Sequence, residues 1–209
     1  MVRPRVRIRF LKQGDLRWIG HRDLMRCLER LFRRAELALA MSQGFHPKPR
    51  MTFPLALAVG IEGRDEVMEV ELTESTAEDA LLTRLVPQAP VGLRFLSAAM
   101  LPEGSRKARA ITAAYEIAIP LPRCAAVESR IRELRASPSF PIRRPNRTAP
   151  IDLVVSLVDL ALDQGMLKMR LRTDPGGSAG PRDVLAALGL DDLEHEGVSL
   201  IRTAVEIDA

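Results

Sequence analysis

Residues 6–10 alternate Val6, Ile8 and Phe10 with Arg7 and Arg9. This period-two pattern predicts a half-buried strand whose outer face carries arginine. Gly14-Asp15 interrupts it, and over residues 22–36 the periodicity changes. Leu24, Met25, Leu28, Leu31, Phe32 and Ala35 recur at helical spacing, so an amphipathic helix is expected to bury one stripe of about 120°. Arg22, Arg26, Arg30, Arg33 and Arg34 fall on the opposite arc.

Leu37–Met41 reads as a short strand. Ser42-Gln43-Gly44-Phe45-His46-Pro47-Lys48-Pro49-Arg50 reads as a loop, because two prolines and a glycine sustain neither helix nor central strand. Met51–Val59 resumes extended structure. Val67–Leu72, with Glu69 and Glu71 interleaved, predicts an edge or half-exposed strand. A second helix is expected from Thr76 to Val86, capped by Thr76 with Glu78 and Asp79 in its first turn. Val91–Met100 then closes the unit as a strand.

The same order of elements recurs downstream. After a connector at 102–110, strands are expected at Thr112–Ile119, Asp152–Asp163, Met166–Thr173 and Val198–Val205. Helices are expected at Cys124–Ala136 and from Pro181 to Leu188, with a tight hairpin at Gln164-Gly165 and a loop over residues 175–181. The reading is α+β, with two tandem ferredoxin-like (βαββαβ) units at residues 1–101 and 110–209.

Composition narrows the chemistry. The 209 residues are 46% hydrophobic and 28% charged, enough for one good core or two of about 100 residues. No apolar run approaches the roughly 20 residues of a membrane span, and Met1-Val2-Arg3-Pro4-Arg5 has no signal-peptide apolar region. A cytoplasmic protein without a membrane partner is therefore expected. Cys27 and Cys124 are far apart and in different predicted helices, which argues against a disulfide framework or a thiolate zinc site. No Gly-rich phosphate loop, Ser-His-Asp set or Cys-x-x-Cys pair is present, so no cofactor or metal is expected and most standard enzyme classes drop out.

Charge distribution is more informative than the net +4: residues 1–50 hold thirteen Arg or Lys against four acids. The basic residues are chiefly arginine, whose planar fork suits phosphate. The helix guanidiniums, with Lys48 and Arg50, suit successive phosphates of a nucleic acid, although a solvated helix face has the same pattern. Phe45 in its polar loop, beside Gln43, is either a stacking platform for a base or a plug into the core. His21, just ahead of the helix, and His46 are the candidates for acid/base work. The predicted topology puts both at one end of the unit, where two histidines suffice for metal-independent RNA cleavage. His195, between Glu194 and Glu196, reads as a surface residue.

The motifs Gly20-His21-Arg22-Asp23-Leu24-Met25-Arg26 and Ser42-Gln43-Gly44-Phe45-His46-Pro47-Lys48-Pro49-Arg50 resemble those of the radical SAM-linked protein family, a bacterial domain of unknown function. The resemblance runs over residues 5–100 and includes Glu29-Arg30 and Leu55–Gly60. Gly20 stands where the family usually has serine, and His46 where asparagine is common. The resemblance implies an association with a radical SAM protein and with modification chemistry on RNA. Two cysteines cannot ligate such an enzyme's iron-sulfur cluster, so that chemistry would occur on the partner. The leading expectation is a non-catalytic RNA-binding or substrate-presenting module, its target a tRNA or rRNA, contacted by Arg22, Arg26, Arg30, Arg33, Gln43, Phe45, Lys48 and Arg50. The alternatives are a metal-independent endoribonuclease using His21 and His46, and a protein-interaction domain whose arginine face docks on an acidic surface.

Overall fold

A computed structural model describes residues 3–144, 149–174 and 177–208. The chain is mixed α and β and divides into two compact units, Met1–Arg109 with Ile207–Ala209, and Ala110–Glu206.

The first unit opens with β1 (Arg5–Lys12), a 3-10 turn at Gly14–Trp18 and α1 (His21–Arg34). It continues through β2 (Met51–Thr52), β3 (Glu62–Glu71), α2 (Glu78–Leu85) and β4 (Leu93–Leu101). The strands lie in the order β4-β1-β3-β2, each paired antiparallel with its neighbours. Register explains the core. Val6 sits opposite Val70 and Met100, and Ile8 opposite Met68 and Ala98, so one face of the sheet is apolar. Leu24, Leu28, Leu31 and Phe32 of α1 pack with Leu81 and Leu85 of α2 into the same core as Val6, Ile8 and Phe10.

Several local expectations are corrected. Leu37–Met41 forms only isolated bridges, Leu39 to Leu72 and Met41 to Pro49. The extended run expected over Met51–Val59 shrinks to two residues, because Pro54 has no N–H to offer a ladder. β3 is no edge: it lies between β1 and β2, and Val67–Val70 are buried on both faces. Its acidic alternation mimics a solvent face, but Glu69 is buried opposite arginine. Thr76 does not cap α2. The helix starts at Glu78 with Ala77 at the cap position, and the Glu78 carboxylate instead accepts from the Met100 N–H at 2.6 Å.

The second unit runs β5 (Arg109–Ala118), α3 (Leu121–Ala136), β6 (Pro141–Ile142), β7 (Ile151–Asp152), α4 (Leu153–Ser156), β8 (Leu157–Asp163), β9 (Met166–Arg172), α5 (Pro181–Ala187) and β10 (Ile201–Asp208). Its main strands follow the order β10-β5-β9-β8, and β6 pairs with β7 apart from them. Ala113, Tyr115 and Ile117 face Leu171, Met169 and Leu167 across the ladder, all buried, and Val127, Ile131 and Leu134 form the buried stripe of α3. Gln164 and Gly165 both adopt positive φ, as a two-residue hairpin turn with the strands' own twist requires.

The strand expected over Asp152–Asp163 is broken by α4. Asp152 accepts hydrogen bonds from the N–H groups of Val154 (2.9 Å) and Phe140 (3.0 Å), capping that turn of helix and tying it to the chain ahead of β6. The last strand begins at Ile201 rather than Val198. Of the loop expected over residues 175–181, residues 175 and 176 lie outside the described residues, as do Met1 and Val2 of the N-terminal reading.

Two outcomes check this architecture. Leu28→Ala, at a site with no solvent exposure, is expected to cost about 2–5 kcal/mol in urea unfolding. The Phe140 N–H, then the Ser139 hydroxyl and Val154 N–H, hold the Asp152 carboxyl below its ordinary 3.8. A folded-state pKa below the unfolded one gives stabilisation that is complete above the unfolded value and lost as pH falls through the lowered one. Asp152→Ala is accordingly expected to melt below the wild type at about pH 7, with the gap closing in acid; a gap independent of pH would contradict the capping role.

Candidate nucleic-acid interface

The apolar stripe of α1 decides where its arginines go. With Leu24, Leu28 and Leu31 turned inward, Arg22, Arg26, Arg30 and Arg33 lie within an arc of about 80° on the outer side, and all four are exposed. Among the described residues, the side chains of Arg22, Arg30 and Arg33 have no hydrogen-bond or ion-pair partner. Arg26 meets Asp23 of its own helix at 3.3 Å, both well exposed, a pair worth little in water. Arg34 departs from the group, because its guanidinium donates to the Gln88 backbone carbonyl (2.8 Å) and side-chain oxygen (3.2 Å).

The arginines of β1 are not solvent-facing in the way the alternation suggests. Arg7 donates to Glu69 at 3.0 Å, Arg9 to Asp65 at 2.5 Å, and Arg5 Nε lies 3.6 Å from Glu69. The Glu69 side chain is only 1% exposed. A buried carboxylate at that position requires positive charge beside it, so this face is neutralised within the unit.

After α1 the backbone turns through Glu36, at φ 54°, and Arg84 donates to the carbonyls of Ala35 (2.8 Å) and Glu36, a cation at the helix C-terminus. The following loop is closed at its base. The Ser42 N–H donates to the Lys48 carbonyl at 2.8 Å, the Lys48 N–H to Ser42 Oγ at 2.9 Å, and the Arg50 N–H to the Ala40 carbonyl at 2.8 Å. Gln43, Gly44, Phe45, His46 and Pro47 form the tip, all exposed. Phe45 is 101% exposed, which overturns the alternative in which it plugs the core. The Lys48 ammonium is unpaired among the described residues, and Arg50 pairs with Glu71 at 3.3 Å.

The two histidines are not brought together. The Glu71 N–H donates to the Arg50 carbonyl, and Glu71 pairs with Arg5, so the loop stands where β1 begins. His21 stands where β1 ends, since the Lys12 ammonium donates to the Ile19 carbonyl at 3.0 Å. Eight strand residues, about 24 Å, separate the two ends. His21 instead sets its ring edge-on against Phe53, with centroids 4.8 Å apart. The expected proximity fails because the loop precedes β2 rather than following it.

The loop end holds Arg33, Gln43, Phe45, Lys48 and Arg50, while Arg22 and Arg26 extend the basic face toward the other end along α1. Arg50 also lines an open groove with Arg3 and Arg5. That grouping escapes sequence reasoning because Arg5 and Arg50 are 45 positions apart and meet only through β3. Cys27 and Cys124 are both free thiols. Among the described residues no cluster of three or more His, Cys, Asp or Glu could hold a metal ion, and no helix is long and apolar enough to cross a membrane.

The chain belongs to a family of bacterial proteins: residues 5–179 match the model described as "Uncharacterized protein conserved in bacteria (DUF2344)". No curated protein matches it. Among solved structures, an unknown protein from Galdieria sulphuraria is similar at 12% identity over the whole of both chains, with a TM-score of 0.32.

Glu69→Gln is expected to destabilise the first unit by about 3 kcal/mol in denaturant unfolding, since it leaves the largely buried Arg5 and Arg7 without a countercharge. A loss below about 0.5 kcal/mol would show that the pair behaves as an exposed one.

Proposed function

We propose that this protein is a non-catalytic RNA-binding, substrate-presenting module that works with a radical SAM enzyme in RNA modification or translation-related metabolism. The observation that carries the reading is the row of exposed guanidiniums on α1, three of them unpaired among the described residues, continued by Lys48 and fully exposed Phe45. Unpaired guanidiniums on a rigid helix lose little entropy on meeting phosphates. An aromatic ring standing in water beside them suits stacking on an unpaired base. The strand orders β4-β1-β3-β2 and β10-β5-β9-β8, each with two helical crossovers, support reading both units as ferredoxin-like. The radical SAM partner rests on the motif resemblance at residues 20–26 and 42–50.

The test is the salt dependence of binding to total tRNA. Removing one cation that neutralises a phosphate reduces the slope of log K against log salt by roughly 0.7–0.9. Arg26→Glu with Arg30→Glu is therefore expected to flatten it by about 1.5, and Phe45→Ala to weaken binding by about 1–3 kcal/mol without changing the slope. A slope identical in the double variant and wild type would remove α1 from the interface.

A further inference from the structure

Trp18, the chain's single tryptophan, is 57% exposed although it lies between two residues that pack against the core of the first unit, Leu16 and Ile19. Side chains three apart eclipse in a 3-10 turn. With Leu16 and Ile19 both directed at the core from the turn at Gly14–Trp18, the indole between them is turned outward.

The backbone on either side of Trp18 is clamped. The Arg17 carbonyl accepts from the Gly60 N–H at 2.9 Å, and the Ile19 carbonyl accepts from the buried Lys12 ammonium at 3.0 Å. The ring is held as well: the Arg17 guanidinium lies over it, 4.9 Å from the centroid, and is itself tied to Glu62 at 3.1 Å. An indole backed by a guanidinium on one face and standing in water elsewhere loses little freedom when a flat partner stacks on it. Nucleobases are such partners, and stacking on them is tolerant of sequence.

Trp18 is also placed with respect to the cations of α1. Arg22, the first of the row, follows it by four positions, at the end of the unit where β1 finishes, while Phe45 stands with Arg33 at the other end. From Arg22 to Arg33 the row spans about 16 Å along the helix axis. We propose that the α1 face takes a single-stranded stretch of RNA, its phosphates on the arginines and unpaired bases stacked on Trp18 at one end and on Phe45 at the other. This rests on the RNA-binding reading and narrows it to unpaired strand, because a duplex keeps its base faces inside its own stack and offers an exposed ring only sugar and phosphate along its length. Exposed tryptophan also serves protein interfaces; the free cations that follow it on α1 favour a phosphate-bearing strand.

Because no other tryptophan is present, the indole emission reports on this one position. The full chain would be titrated with an unstructured RNA of about 12 nucleotides, and with the same strand annealed to its complement. The single strand is expected to quench Trp18 in step with binding, and the duplex to leave the emission unchanged. Trp18→Ala is expected to weaken binding of the single strand by about 5- to 150-fold at an unaltered salt slope. Trp18→Phe, which keeps a ring, is expected to retain most of the affinity. The quench is read on the unaltered chain, so it decides the matter even if Trp18→Ala unfolds the unit. Single-stranded RNA that binds without quenching Trp18 overturns the proposal and leaves the indole to a protein contact; so does equal quenching by strand and duplex, or a Trp18→Ala chain that folds and binds as wild type. All three results leave the cationic face of α1 in place. Failure of the RNA-binding reading itself shows in a different quantity, a salt slope unmoved by Arg26→Glu with Arg30→Glu, and that result would overturn both.

Discussion

The burial of Leu24, Leu28, Leu31 and Phe32 of α1 against Val6, Ile8 and Phe10 of β1 is the constraint on which the first unit depends. A helix anchored by residues spaced three and four apart cannot rotate about its axis without exposing leucine. Whatever occupies the opposite arc must therefore face water, and in this chain that arc is arginine. The basic surface is thus a consequence of packing. Its cost is modest, because exposed guanidiniums stay hydrated, and its rigidity comes from the core beneath it.

The same sheet deals with its remaining positive charge differently. Arg5, Arg7 and Arg9 point away from the helices, and β3 meets them with Glu69 and Asp65. One set of arginines is committed to structural ion pairs while another is left open, although the two sets lie only 13 to 28 positions apart and are chemically identical. The difference lies in the neighbours: β3 brings carboxylates into register with β1, whereas along α1, among the described residues, only Asp23 forms an ion pair with any of the four. Polarity at the sequence level does not distinguish a cation available to a ligand from one already neutralised.

Much of the local structure was legible. The period-two run at residues 6–10, the helical stripe of α1, the Gln164-Gly165 turn and the helix opened by Pro181 follow from backbone chemistry within a few residues, and they appear where the pattern places them. Errors gathered where a residue's role depends on something distant. Glu69 reads as exposed and is buried because Arg5 and Arg7 lie across the ladder. The apolar stretch at 152–157 reads as strand, and becomes a helical turn because Asp152 finds backbone donors at Val154 and Phe140.

By itself the amino-acid sequence determined the α+β class, the amphipathic helix and the basic character of residues 1–50, because each follows from periodicity or composition over a short span. Only tertiary structure decided which arginines are free, that Phe45 stands in solvent, that His21 and His46 lie at opposite ends of β1, and that Arg3, Arg5 and Arg50 share a groove. These are relations between residues tens of positions apart. They are set by strand register and by the direction in which the chain enters β2, and no local pattern encodes either.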